Sequence, residues 1–193
     1  NFEGWVEDSW DGDYHHVEMR DCNTVKAIPY DMYVSGKGEG VARLRLWASS
    51  KPELDMSLFN QGSYIKAMEQ SAMAEAISKV LYPSDNSPEG KSLRLRQQYF
   101  LVSASIQDII QRHLTKYGTI DNLPEKVAIH INDTHPTMAI PELMRILLDE
   151  CGYDWGPRPP FPRPASGSCV YSFSRLTSKL FKAFSKTSVK PRL

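Results

Sequence analysis

The stretch 127–150 constrains the fold of this 193-residue chain more than any other part of it. A short and nearly unbroken apolar run at 127–131 is typical of a parallel β-strand that is covered on both faces. A polar loop follows, and from Ile140 to Gly152 apolar residues recur at helical spacing. Strand, loop and helix in this order predict an α/β fold. They place the loop at the carboxyl end of a strand, where open α/β sheets bind ligands.

The polar loop carries two candidate site residues, Asp133 and His135. Together with Asn132 they put an amide, a carboxylate and an imidazole within four residues, a set that can hydrogen-bond a hydroxyl-rich ligand or orient a proton-transfer group. His130 would add a second imidazole for a metal ion, but residues five apart on a strand point to opposite faces. We therefore predict a ligand-facing loop and no metal site, with plain loop capping as the alternative.

Upstream of this stretch the pattern predicts strands. Apolar and polar residues alternate at 25–28 and 42–47, which indicates half-buried antiparallel strands. The glycine-rich segment 35–40 lies between them. A strand follows this segment where a phosphate loop would need a helix, so we interpret it as a turn.

Two helices are predicted between the strands and the polar loop. The first begins after Ser63 as N-cap and is stopped by Pro83, and the second runs over about 92–117 with His113 on its surface. The predicted inner face of the first helix consists of Ile65, Met68, Ala72, Ala76, Ile77 and Val80. The segment between the helices contains Asp85 and Asn86, which by themselves are ordinary turn residues.

Charge divides the chain at Gly156. Residues 1–155 hold 15 Lys and Arg against 23 Asp and Glu, whereas residues 156–193 hold eight Lys and Arg, no acid, six prolines and seven serines. We interpret 1–155 as the folded part and 156–193 as a basic Pro/Ser-rich tail that is disordered or frameshifted. Binding of the tail to nucleic acid or an anionic membrane is the alternative.

Composition excludes several classes of protein. No run approaches the ~18 apolar residues of a membrane span, and 1–155 lacks the basic–aromatic interleaving of nucleic-acid binders. Three scattered cysteines argue against a disulfide framework and for a reducing cytoplasmic compartment.

Seven segments resemble the α-glucan (glycogen, starch, maltodextrin) phosphorylases. In chain order they are 27–31, 43–47, 81–86, 89–95, 98–100, 107–110 and 127–150. The third and fourth are similar to the family's gate loop and the helix that follows it, and the last is highly specific for the family. The resemblance covers about residues 1–155, with the glycine-rich turn at 35–40 in place of a longer loop.

The resemblance implies part of the N-terminal Rossmann-like domain of a GT-B-type glycosyltransferase. The family transfers terminal α-1,4 glucosyl units of a glucan to inorganic phosphate and releases glucose 1-phosphate. Its cofactor is pyridoxal 5′-phosphate, whose phosphate group exchanges protons with the substrate phosphate. The resemblance further implies a cytoplasmic homodimer when intact, with no nucleic-acid or membrane partner.

The same resemblance assigns roles to individual residues. Asn86 would contact glucose from the gate loop beside Asp85, Asp133 and His135 would line the sugar crevice, and Arg94 would anchor the loop. The family's cofactor lysine and phosphate cluster have no match in this chain, so we expect no complete catalytic set and no bound pyridoxal phosphate. We expect a truncated phosphorylase that is inactive alone; a non-catalytic carbohydrate-binding or interaction module is the alternative.

Regulation by AMP is a separate expectation. Animal members of the family bind AMP with two adjacent arginines, and the matching positions here are Gln111 and Arg112. Because an amide lacks the charge and the bidentate geometry of a guanidinium, the resemblance implies an enzyme without this allosteric control.

Overall fold

A computed structural model describes residues 2–12, 14–38, 40–50, 56–129, 131 and 133–153. Over these residues the fold is mixed α/β with antiparallel strands, as predicted. The tail 156–193 and the boundary at Gly156 lie outside the described residues. The elements are β1 (Trp5–Asp11), β2 (Tyr14–Arg20), β3 (Lys26–Ser35), β4 (Val41–Ser50), α1 (Met56–Asn60), α2 (Tyr64–Lys79), α3 (Pro88–Tyr117), α4 (Leu123–Lys126) and α5 (Ala139–Arg145).

The chain forms two compact units. Over the described residues, the first unit falls within Asn1–Glu7 and Met19–Ala104, and the second falls within Asp8–Glu18 and Ser105–Leu193. Helix α3 contributes residues to both. None of the helices in the described ranges combines the length and the apolarity that crossing a bilayer requires.

The first unit contains the predicted hairpin. Strands β3 and β4 pair antiparallel, with Lys26 opposite Ser50 at one end and Ser35 opposite Val41 at the other. Both strands and their antiparallel pairing are therefore confirmed, and the glycine-rich turn joins them. The predicted half-burial of the first strand was wrong at Ile28, which is 51% exposed. Across the pair the Asp31 carboxylate accepts two hydrogen bonds from the Arg45 guanidinium, at 2.9 and 3.0 Å.

Helix α2 forms where it was predicted, but it buries a different face. Ile77 is buried, as predicted, together with Ala67 and Ala74. The predictions for Ile65, Met68 and Val80 were wrong, because these side chains are 75%, 63% and 60% exposed. Apolar residues occur all round this helix, so periodicity does not select one face. The Ser78 hydroxyl accepts a hydrogen bond from the Ser49 amide of β4 at 3.0 Å, and the small residues of α2 allow this close approach.

Helix α3 spans 30 residues and ends at Gly118, as predicted, with φ +70° and a 2.8 Å hydrogen bond from the Gly118 amide to the Leu114 carbonyl. It begins at Pro88, earlier than expected. The Ser87 hydroxyl accepts a hydrogen bond from the Gly90 amide at 3.1 Å, and Pro88 occupies the first helical position, where proline is well tolerated.

His113 is not a surface residue, and that prediction was wrong. Only 4% of its surface is exposed, because it continues the buried stripe of Ile106 and Ile110 along α3. Its Nε2 lies 2.6 Å from Asn122 Oδ1, and its ring lies 4.7 Å from that of Tyr117. The spacing of three from Ile110 is the signal that could have placed it in the core.

The predicted parallel strand at 127–131 is absent from the described residues 127–129 and 131. A strand requires a hydrogen-bonded neighbour, and the described strands pair only as β1 with β2 and β3 with β4. Val127 is nevertheless extended, with φ −125° and ψ 134°. Its apolar neighbours are half-buried except for Ala128, which is exposed, so the segment is not covered on both faces.

The helix predicted from Ile140 is confirmed as α5. A 3₁₀ turn, His135–Met138, precedes it, and a π turn, Ile146–Glu150, continues it towards Gly152, which has φ +68°. The predicted apolar positions Leu143, Ile146 and Leu147 are all buried.

The two faces of α2 give a direct test of the packing. Ile77 is 4% exposed, so Ile77→Ala should lower the free energy of unfolding by about 2–4 kcal/mol through lost burial and a cavity. Ile65→Ala removes the same atoms from an exposed site and should cost less than about 0.5 kcal/mol. Urea unfolding of both variants measures the difference, and equal losses would contradict the observed orientation of α2.

Candidate functional site

The first candidate pair, Asp85 and Asn86, lies in the α2–α3 loop, which we define as residues 80–87. Both side chains are exposed. The loop leaves α2 at Val80, whose carbonyl accepts a 2.6 Å hydrogen bond from the Gln97 side chain, and it reaches α3 at Ser87. Tyr82, with φ +54°, turns the chain between these ends. The loop is therefore attached to α3 at both of its ends.

Asp85 does not stand free in this loop. The Arg94 guanidinium donates a hydrogen bond to its carboxylate and forms an ion pair with it. Arg94 lies two helical turns into α3 and is half-buried, which is the arrangement expected of a side chain that anchors the loop. Asn86 follows Asp85 directly in the chain, and its side chain is exposed.

Ser87, the last residue of the loop, caps the N-terminus of α3. The Ser87 hydroxyl accepts from the Gly90 amide, and the Lys91 amide donates to the Ser87 carbonyl at 3.0 Å. The Glu89 carboxylate accepts hydrogen bonds from its own amide and from the Ser87 hydroxyl, which lowers the pKa of that carboxyl. A negative charge in the first turn also suits the helix dipole.

The second candidate pair, Asp133 and His135, lies immediately before α5. Asp133 has φ +75°, a left-handed conformation that aspartate tolerates better than most residues. Its Oδ1 accepts a 2.6 Å hydrogen bond from the Thr134 amide and a 3.2 Å one from the Thr134 hydroxyl. His135 is half-buried and begins the 3₁₀ turn.

These contacts favour the ionised form of the exposed Asp133 carboxylate. The hydrogen bond from the Thr134 amide lowers the pKa of Asp133 most, the Thr134 hydroxyl adds to it, and the charge of His135 contributes in the same direction. A carboxylate held in this way is an acceptor for hydroxyl groups over the whole neutral range. That this loop binds a hydroxyl-rich ligand stays a prediction.

The four candidate residues do not all belong to one unit. Asp85 and Asn86 belong to the first unit, and Asp133 and His135 belong to the second. Within each pair the side chains are neighbours along a short loop. Asn132 and His130, which the sequence analysis placed beside the second pair, lie outside the described residues. A crevice formed jointly by all four residues stays a prediction.

The chemistry of the described residues bears on metals and cofactors. In the described ranges, which omit His130 and Asn132, no group of three or more His, Cys, Asp or Glu side chains is arranged to hold a metal ion. Every lysine of the described part is exposed. A lysine that binds pyridoxal phosphate as a Schiff base needs an enclosed pocket, so these residues do not fit that cofactor.

Sequence reasoning missed one buried ion pair close to the second pair. The Glu142 carboxylate is buried and receives two hydrogen bonds from Arg145, at 2.9 and 3.0 Å, while Arg145 also donates to Glu150 at 2.7 Å. The hydrogen bonds to Glu142 raise the pKa of Arg145 further above its usual range. The spacing of three residues in α5 was the available signal. The pair stiffens the helix that carries the Asp133 loop.

Comparisons with known proteins agree on one family. A family model described as carbohydrate phosphorylase matches residues 1–158. Glycogen phosphorylase of Pasteurella multocida is 47% identical over 147 residues, which are 72% of this chain and 18% of that protein. The Haemophilus influenzae glycogen phosphorylase is 47% identical over 138 residues, 70% of this chain and 17% of that protein. The brain form of glycogen phosphorylase from Ovis aries is 47% identical over 166 residues, which are 81% of this chain and 19% of that protein. The chain thus spans less than a fifth of the length of these curated relatives.

The hydrogen bonds to Asp133 predict a pH response. Because they lower the carboxyl pKa, the ionised form stabilises the loop above the unfolded-state pKa, and this stabilisation is lost as the pH falls through the folded-state pKa. In a ¹³C NMR titration the Asp133 carboxyl should show a midpoint below that of an ordinary aspartate. Thr134→Val removes the hydroxyl but keeps the amide, so it should raise the midpoint only part of the way.

Thr137→Val is the matched control for this titration. The Thr137 hydroxyl donates to the Thr134 carbonyl at 2.5 Å, in the same turn but not to Asp133. Its removal should leave the Asp133 midpoint in place. An unshifted midpoint in the unmodified chain, or equal changes in both variants, would contradict the geometry.

Proposed function

This chain belongs to the carbohydrate phosphorylase family, and on that premise we propose that it is part of an α-1,4-glucan phosphorylase. The whole protein would transfer a terminal glucosyl unit of a glucan such as glycogen to inorganic phosphate and release glucose 1-phosphate. The observation that carries the proposal is the match over residues 1–158, which includes all four candidate site residues. The three similar glycogen phosphorylases described above support it.

The described residues suit the sugar-binding part of this reaction. Asp133 offers an ionised oxygen acceptor, His135 an imidazole and Asn86 an amide that both donates and accepts. Groups of these types bind sugar hydroxyls, and their fixed loops would hold the glucosyl unit in one orientation. We assign sugar binding to Asp85, Asn86, Asp133 and His135, and we assign no step of bond cleavage to them.

The proposal extends to the fold of the whole protein. The extended Val127, the loop that carries Asp133 and helix α5 follow one another as in a Rossmann-like domain. We propose that 127–131 becomes a strand of a parallel sheet in the N-terminal domain of a GT-B-type glycosyltransferase, where further strands would supply its hydrogen-bonding partners.

The cofactor and the phosphate substrate are assigned to other parts of the protein. In this family pyridoxal 5′-phosphate supplies proton exchange with the substrate phosphate. The described residues do not fit this cofactor, so we assign them no step that involves it. We propose that the whole protein functions as a cytoplasmic homodimer and that the isolated chain does not catalyse phosphorolysis.

The α3 surface supports the absence of AMP control. Gln111 is exposed, and the one neighbouring guanidinium, that of Arg112, pairs with Asp108 at 2.7 Å. Because the Asp108 carboxylate already pairs with the Arg112 guanidinium, an AMP phosphate would have to compete with it. Both features disfavour the binding of a phosphate at these positions.

A chimeric enzyme tests the proposed function. Residues 2–153 would replace the matched segment of the Haemophilus influenzae glycogen phosphorylase, so that the remaining domains come from that enzyme. We expect the chimera to release glucose 1-phosphate from glycogen and phosphate, because the segment would supply a working sugar site. A folded chimera that retains its cofactor but shows no phosphorolysis would contradict the proposal.

Single variants of the chimera test the assigned residues. His135→Ala and Asp85→Ala should each lower kcat/KM about tenfold or more, a loss of roughly 1.4 kcal/mol or more in transition-state stabilisation. His16→Ala is the control because its imidazole is exposed on β2; His113 is buried and is not suitable. Equal kinetics for His135→Ala and His16→Ala would show that the loop before α5 does not bind substrate.

An AMP titration of the same chimera tests the regulatory proposal. Hydrogen bonds to charged groups contribute ~1.5–3 kcal/mol, so the missing guanidinium should weaken AMP binding roughly ten- to a hundredfold. We expect micromolar AMP to leave the rate at low substrate unchanged and Gln111→Arg to tighten AMP binding. Several-fold activation of the chimera that keeps Gln111 would contradict this proposal.

A further inference from the structure

The α2–α3 loop is attached to α3 more closely than a connecting loop requires. At its start the Val80 carbonyl bonds to Gln97, and at its end Ser87 caps the helix through the Gly90 amide. Between these ends Arg94 contacts Asp85. All of these residues belong to the first unit. The loop therefore lies along the first turns of the helix.

Gly90 allows this arrangement because it has no side chain. A methyl group on its Cα would stand well under 3.0 Å from the Ser84 carbonyl oxygen, 3.1 Å from the Ser84 carbonyl carbon and 3.3 Å from the Asp85 Cα. All three are backbone atoms, which cannot turn aside as the end of a side chain can. Any larger residue at position 90 must therefore move Ser84 and Asp85 away from α3.

Arg94 acts on the same part of the loop from the next turn of the helix. With Ser84 and Asp85 lying against Gly90, its guanidinium reaches the Asp85 carboxylate. The close approach at Gly90 and the ion pair at Arg94 thus specify one position of the loop. Asn86 is the next residue in the chain, so the position of the loop also sets where its side-chain amide lies.

We infer that Gly90 and Arg94 are positioning residues that hold Asp85 and Asn86 where the glucosyl unit binds. The inference rests on the proposed function, since it takes the sugar-binding role of this loop from there. A displacement of about 1 Å in a substrate-binding group can cost roughly a hundredfold in rate, so a methyl group at Gly90 can act on the reaction without touching substrate. Specificity for glucose would then depend on a glycine outside the binding loop.

Hydrogen exchange of the 193-residue chain tests the positioning without any substrate. In Gly90→Ala the amides of residues 84–91 should exchange at least about tenfold faster, while those of the rest of α3 keep their rates. Alanine favours a helix more than glycine does, so lost helix propensity cannot explain such a change. Gly36→Ala is the matched control, because a methyl group there meets no atom within 4 Å. Unchanged exchange in Gly90→Ala would overturn the inference.

A double variant tests whether the two residues act on one loop position. Arg94→Gln removes the ion pair without a steric clash and should raise exchange at residues 84–87 by itself. Once Gly90→Ala has displaced the loop, Arg94 has no partner to lose, so the double variant should exchange no faster than Gly90→Ala alone. If instead the increases in exchange rate of the two single variants multiplied in the double variant, Gly90 and Arg94 would act independently, and this coupling would be overturned. If Gly90→Ala unfolds the chain, the Arg94→Gln result alone decides, and unchanged exchange overturns the inference.

Kinetics of the chimeric enzyme separate this inference from the proposed function. Gly90→Ala and Arg94→Gln should lower kcat/KM about tenfold with an unchanged unfolding temperature, and Arg94→Lys should recover part of the loss because it keeps the charge. Altered exchange with unaltered kinetics in an active chimera would overturn the positioning role and leave the phosphorylase function intact. An inactive parent chimera would instead contradict the proposed function, and the exchange data would still decide the loop's attachment.

Discussion

A backbone carbonyl lies against a glycine at the start of α3, and the path of the α2–α3 loop depends on this contact. With no side chain at Gly90, Ser84 and Asp85 can approach the helix closely. That approach brings Asp85 within reach of Arg94 and leads the chain to Ser87, which caps the same helix. The absence of a side chain at Gly90 thus links the start of a 30-residue helix to the position of two candidate sugar-binding side chains.

The second candidate pair depends on local hydrogen bonds instead. Thr134 supplies two donors to Asp133, and α5, stiffened by the Glu142–Arg145 ion pair, follows directly. Such a loop can be formed by a short stretch of sequence, because every contact lies within a few residues. The two loops therefore illustrate two ways of holding a polar group in place: contact with a helix, and hydrogen bonding within one turn.

Local signals in the sequence predicted most of the elements correctly. The β3–β4 hairpin, the end of α3 at Gly118 and helix α5 follow from alternation, from a left-handed glycine and from helical spacing. The start of α3 was predicted late because the run 84–90 is polar and rich in turn-forming residues; Ser87 and Pro88 were the better signal for the helix start. The buried face of α2 and the missing strand at 127–131 depend on neighbouring elements, which no local pattern contains. Asp133 and His135 were proposed from the strand–loop–helix pattern, and Asp85 and Asn86 from the family resemblance, whereas the contacts that hold them required coordinates.

The central claim is that the α2–α3 loop rests on α3 in the folded chain, and proton–proton NOEs measure this most directly. The Asp85 Cα lies 3.3 Å from the place where a Gly90 side chain would begin. We therefore predict a strong NOE between the α-protons of Gly90 and the α-proton of Asp85, together with chemical shifts at residues 84–87 far from those of an unstructured peptide. Absence of this NOE, with random-coil shifts at these residues and an intact α3, would contradict the account.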